Sequence, residues 1–246
     1  MNTDFYKLTA QFKCQIEEWD KRYSLSKLSC YQNLNYKLVR TIVYNSHLDK
    51  IKPGDIKIIL VGDNPGMNEQ AENAYLVGKS GKMAANFFKE VYDYDFYKNI
   101  LIMNKTPVHT KSTSQLKEIY KTYPEFLETS QRYMAELVFK FSSILKVPVF
   151  VTGFAGCRTP DGIWLKKSKK GYNLNSQTAP FFFEQLKVSF RNNHGNLFLF
   201  KHFSYGNFYR DIKAFITQGV KTEDAVLQTG MIYRNELFGV NITGLL

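Results

Sequence analysis

Cysteine is scarce in this chain of 246 residues, which has only Cys14, Cys30 and Cys157. Three widely scattered thiols exclude a disulfide scaffold and a four-cysteine zinc or iron–sulfur site, so neither a metal nor a cofactor is expected. A long apolar run is also missing, since no stretch approaches the roughly 20 residues a membrane span requires. The segment from Met1 to Glu18 is polar and amphipathic and lacks the apolar centre and small-residue cleavage site of a secretion signal. A reducing, cytoplasmic setting without membrane contact is therefore expected, with the chain acting as a monomer. Acidic residues are the minority charge: 22 Asp and Glu stand against 33 Lys and Arg, a formal net charge of +11.

What the chain does have is apolar mass. Hydrophobic residues make up 44% and aromatics 15%, enough to exclude a disordered chain and to fill a proper core. The positive charge suits a protein that meets a polyanion, because each neutralised phosphate releases counterions; it also suits a basic protein with no such partner. Lys166, Lys167, Lys169 and Lys170 beside Gly171 read as a solvated loop or as a contact for nucleic-acid backbone. The 20 Phe and 16 Tyr are assigned mainly to the core. No repeat, low-complexity tract or linker divides the sequence, which predicts one domain over 1–246.

Four short apolar runs rich in β-branched and aromatic residues read as buried strands: Ile56–Gly62, Asn99–Asn104, Val147–Gly153 and Asn196–His202. Segments of helical period lie around them, at Gly81–Tyr92, Thr129–Lys146, Pro180–Asn192 and Tyr209–Gly219. The first 50 residues carry Phe5, Leu8, Phe12 and Ile16 on one helical face, whereas residues 220–246 have no secure assignment. This alternation predicts an α/β fold: a central, largely parallel four-stranded sheet flanked by helices on both faces.

In such sheets ligands bind beyond the carboxyl ends of the strands. Three predicted strands end in polar groups able to do chemistry: Gly62-Asp63-Asn64-Pro65-Gly66, Met103-Asn104-Lys105-Thr106-Pro107 and Lys201-His202-Phe203-Ser204. Taken singly, each has a plain structural reading as a turn, a helix cap or a core histidine. Parallel strands would bring all three to one cleft.

These segments resemble the motifs of the uracil-DNA glycosylase superfamily. Val61-Gly62-Asp63-Asn64-Pro65-Gly66 is similar to its first motif, with Asn64 in the water-positioning slot and Asp63 in the slot before it. Ala74-Tyr75-Leu76-Val77-Gly78-Lys79-Ser80-Gly81 resembles a stretch of its thermophilic iron–sulfur family, although the cluster cysteines are missing here. Ile100-Leu101-Ile102-Met103-Asn104 is similar to the strand whose terminal Asn reads the base, and Lys201-His202-Phe203-Ser204 to the His-Pro-Ser motif, with Phe203 in place of Pro. The likeness covers about residues 55 to 215.

The resemblance implies a base-excision enzyme that flips a damaged base out of DNA and hydrolyses its glycosidic bond. Asn104 would pair with the base edge, since an amide both donates and accepts. His202 would donate to the departing base, and the Asn64 carbonyl would align water. Asp63 is either a carboxylate for that water or a turn residue bonding its own backbone. Leu76 lies in the base-stacking slot, and neighbouring Tyr75 could supply a ring. The Gly66 and Gly78 backbones would approach DNA phosphates closely, Gly66 beside the substrate; Gly78, Lys79 and Ser204 would contact DNA, with Tyr205 or, second, Phe208 as the apolar wedge.

Rival readings differ in class. Gly78-Lys79-Ser80 ends like a phosphate-binding P-loop, but Asn73 stands where its first Gly must be. A glycosylase-like protein that binds nucleic acid with lost or changed excision, and an α/β enzyme acting on a small anion, complete the set.

Overall fold

The computed structural model describes residues 3–154, 167–168, 171–172, 179–203 and 207–240. The expected sheet is present at each of the four apolar runs. Strands β1 (Ile58–Gly62), β2 (Ile100–Asn104), β3 (Val149–Val151) and β6 (Leu197–Leu199) form a parallel sheet in the order β2-β1-β3-β6. Every residue of the four strands is buried, as the absence of polar alternation requires of a sheet covered on both faces. Two further short strands, β4 (Lys167–Ser168) and β5 (Gly171–Tyr172), pair antiparallel within the lysine-rich segment, which sequence alone assigned to a loop.

Helices fill the crossovers. Between β1 and β2 run α2 (Met67–Glu72), α3 (Lys79–Tyr92) and α4 (Phe96–Asn99). Between β2 and β3 run α5 (Leu116–Thr122) and α6 (Pro124–Leu145), and α7 (Pro180–Ser189) precedes β6. The first crossover steps along the sheet in the direction opposite to the other two. Right-handed connections then send its helices to one face and the later ones to the other. Contacts agree: α6 packs on α7 and on the N-terminal helix α1 (Thr3–Arg22), while α9 (Thr222–Phe238) packs on β6, α3 and α8 (Asn207–Ile216). Buried apolar residues from Phe5 to Leu237 form one connected core.

Two expectations need correction. The helical N-terminus stops at Arg22, and four short 3-10 turns carry the chain through residues 25–55. Pro53 opens the last of these turns, where a fixed φ is tolerated but a continuing α-helix is not. The unassigned tail, in contrast, contains α9, with Glu223 and Asp224 in its first turn and Gly239 at its end in the left-handed region (φ 69°). Among the described residues, no helix is long and apolar enough to cross a membrane.

Candidate active site

Parallel pairing puts the carboxyl ends of β1, β2, β3 and β6 on one edge of the sheet, and a cavity of about 320 Å³ opens there. Asn64, Asn104 and His202 all line it, together with Asp63, Leu76 and the first turn of α3. The three polar strand tips picked out in the sequence thus share one hollow.

Asn104 lies at the end of β2 and is 1% exposed. Neither its Oδ1 nor its Nδ2 has a hydrogen-bond partner among the described residues. A buried amide left unpaired costs about 1–3 kcal/mol, and a ligand that offers a donor and an acceptor side by side could satisfy it. Asn64 is arranged differently. Its Nδ2 donates to Thr110 Oγ1 at 3.0 Å and also faces the carbonyls of Pro65 and Thr110. The amide orientation is fixed by these bonds, and Oδ1 becomes the atom able to accept from a ligand or a water.

Behind Asn64 stands His109, fully buried, with Nδ1 2.9 Å from the Pro65 carbonyl and Nε2 2.9 Å from Tyr36 Oη. A carbonyl can only accept, so Nδ1 carries the proton and Nε2 accepts from the tyrosine. Burial lowers the His109 pKa, outweighing the backbone contacts that raise it, and keeps this tautomer neutral.

Asp63 has a partner that neither of its two sequence readings included. Its Oδ1 is paired with the ammonium of Lys105, which is 1% exposed, and its Oδ2 lies 3.6 Å from His202 Nε2. Gly153, at the tip of β3 with φ 76°, makes room for this pair: a β-carbon there would stand 2.3 Å from Asp63 Oδ1 and 2.7 Å from Lys105 Nζ. Burial lowers the His202 pKa; the Asp63 charge acts upward and the Lys105 charge downward. The imidazole is therefore neutral near pH 7 and can donate an N–H.

Glu69 ties the cavity walls together. Its carboxylate accepts the Gly66 N–H, and its Oε1 accepts the Leu76 N–H at 2.6 Å. The Gly66 backbone lines the cavity, but its N–H is committed to Glu69, which removes it as a donor to substrate. Leu76 sits in the left-handed region (φ 53°) and lines the cavity. Tyr75 does not: it is fully buried and donates its hydroxyl to the Val43 carbonyl at 2.7 Å. The chain reversal at Leu76 sends the two side chains in different directions, so Tyr75 is corrected from a base-stacking ring to a core residue.

The wedge assigned to Phe208 is likewise corrected. Phe208 is 1% exposed and stacks on Phe203 at 4.1 Å between ring centroids, with Phe87 and Phe200 around it. Ser204 and Tyr205 lie outside the described residues. Gly78 and Lys79 stand at the start of α3 on the cavity wall, and Lys79 and Lys111 are exposed at its rim.

Lys105, Glu69, Thr110 and His109 escaped the sequence reading. Only Lys105 left a usable signal there: a lysine directly after a buried strand and beside Asn104 needs a counter-charge. No protein-family model and no curated protein matches the chain.

Proposed function

We propose that this protein is a DNA glycosylase of base-excision repair, acting on uracil or a related damaged or mismatched base. The observation that carries this reading is Asn104, whose buried amide, without a partner among the described residues, lines a cavity that also presents Asn64 and His202. At about 320 Å³ the hollow lies at the small end of ligand sites, the scale of one extruded base. Uracil offers N3–H as donor and O4 as acceptor on adjacent atoms, the complement of an amide. A base lacking that pair leaves the buried amide unsatisfied and is rejected.

Extrusion of the base costs a few kcal/mol. Cleavage of the bond between C1′ and the base nitrogen leaves the electron pair on the base, chiefly at O2. A neutral N–H of His202 aimed at that oxygen acts as an oxyanion-hole donor, typically about 2.7–4 kcal/mol of transition-state stabilisation. Water held by Asn64 Oδ1 forms the new bond to C1′, and the proton it loses ends on the anionic base, giving an abasic sugar and the neutral free base. The net charge of +11 and the rim residues Lys79 and Lys111 favour the DNA backbone.

The test is a strand-nicking assay on uracil-, hypoxanthine- and mismatch-containing oligonucleotides, with abasic sites cleaved afterwards by alkali. A nick at the lesion is expected, and no nick with any substrate rejects excision. One observation favours a second reading, a nucleic-acid-binding protein without excision: one of the two Asp63 oxygens is engaged by Lys105, which gives this carboxylate a structural tie beside any role with water. Tight, salt-sensitive binding without product would select it.

A further inference from the structure

We propose that Lys105 is a positioning residue that acts on His202 through the Asp63 carboxylate. Its bearing on excision rests on the glycosylase reading; the electrostatic coupling itself does not.

Lys105 is fixed at both ends. Its backbone N–H donates to the carbonyls of Gly62 and Asp63, each at 3.0 Å, and its ammonium meets Asp63 Oδ1. The ammonium also lies 5.1 Å from the centre of the Phe183 ring. Gly153 is the residue that leaves space for this arrangement. Stability is a poor reason to bury such a pair, because apolar side chains of similar volume usually serve as well or better. What the pair does accomplish is local. It pins one carboxylate oxygen, so that the other stands 3.6 Å from His202 Nε2, beyond hydrogen-bond length but within the reach of its charge.

A lone carboxylate at that distance would draw a proton onto the imidazole. The ammonium on its other oxygen offsets the pull. Asp63 faces His202 from the tip of β1 and Lys105 acts from the tip of β2. Glu69 on α2, Lys79 on α3 and Lys111 line the same cavity, while neighbouring Lys201 is turned to Asp211 on α8 at 2.9 Å. Burial is the larger cause of the lowered His202 pKa, and Lys105 adds to it by offsetting Asp63; the imidazole is then a neutral N–H donor, the form that can meet an anionic leaving base without first giving up a proton.

The experiment is an NMR titration of the His202 ring in the full chain without DNA. It compares the natural protein with Lys105→Met, Lys105→Arg and the double variant Asp63→Asn/Lys105→Met. Lys105→Met should move the His202 midpoint to higher pH, Lys105→Arg should leave it in place, and the double variant should cancel the upward move. An unmoved midpoint in Lys105→Met overturns the proposal, as does an upward move that persists in the double variant. Should Lys105→Met fail to fold, Asp63→Asn alone decides: the uncompensated ammonium should drive the midpoint down, and no change overturns the coupling. In the excision assay, Lys105→Met should lose up to about a hundredfold in rate at pH 7, with Lys105→Arg restoring it and oligonucleotide affinity changed less than about twofold. If the natural protein excises nothing, the glycosylase reading fails while the titration still decides the role of Lys105.

Discussion

Asn104 Oδ1 lies 2.7 Å from the point where a β-carbon on Gly62 would stand, and the two residues are register partners at the ends of β2 and β1. The glycine at 62 is therefore a condition for the amide at 104. A side chain there would push the amide off its position and would also crowd Leu76, whose Cδ2 is 3.2 Å from the same point. Gly62 and Asn104 form one steric unit built across two strands.

Asn104→Ala should cost the fold little or stabilise it. The substitution removes two buried polar atoms that have no partner among the described residues, relieving about 1–3 kcal/mol that offsets the packing lost. Base discrimination should collapse at the same time. Thermal unfolding and competition between uracil and cytosine substrates check both; a clear drop in stability would mean that the amide is satisfied in the folded protein.

Gly153→Ala should be severe. The new β-carbon would stand within 2.7 Å of both Asp63 Oδ1 and Lys105 Nζ, at a φ of 76° that alanine disfavours. Breaking a buried ion pair typically costs about 3–5 kcal/mol, and urea unfolding should show a loss of that order.

Glu69→Ala should loosen the cavity wall. Two N–H groups, those of Gly66 and Leu76, lose their acceptor, at about 1–3 kcal/mol for each one left buried and unpaired. The expected result is lower stability by denaturant titration, together with weaker oligonucleotide binding. Unchanged values in both would show that water or another group replaces the carboxylate.

Stability should fall as the pH drops below about 6.5, the ordinary histidine value. His109, His47 and His202 all have pKa values lowered chiefly by burial. Below that pH the unfolded chain binds protons that the folded chain does not, whereas above it both states are neutral and the contribution is flat. His109→Gln, which keeps a donor and an acceptor, should reduce the loss between pH 7 and pH 5 measured by urea unfolding.

Asn64→Ala and His202→Ala should each reduce excision by about 10²–10³ while changing oligonucleotide affinity far less. Single-turnover rates and binding titrations separate the two effects. If all activity survives in both variants and in Asn104→Ala, the chemistry lies elsewhere.

Much of this arrangement is legible before any fold is known. Runs such as Ile56–Gly62 and Asn99–Asn104 declare buried strands because full burial on both faces leaves little polar alternation. The placement of Asn64, Asn104 and His202 just at or past strand ends follows, because parallel strands share one carboxyl edge. The limits are equally physical. Tyr75 and Leu76 are adjacent in sequence, and only the left-handed backbone at Leu76 decides which of them meets the cavity. Phe208 is one aromatic among many until Phe87, Phe200 and Phe203 enclose it.

The sequence by itself determined the α/β class, the strands that form the sheet and the polar tips they carry, because burial period and chain order are local properties. Tertiary structure alone decided that Lys105 pairs with Asp63, that Glu69 joins the Gly66 and Leu76 backbones, and that the Asn104 amide has no partner among the described residues. Those facts depend on side chains from different strands and loops meeting within a few ångströms, which no pattern along a single stretch of chain encodes.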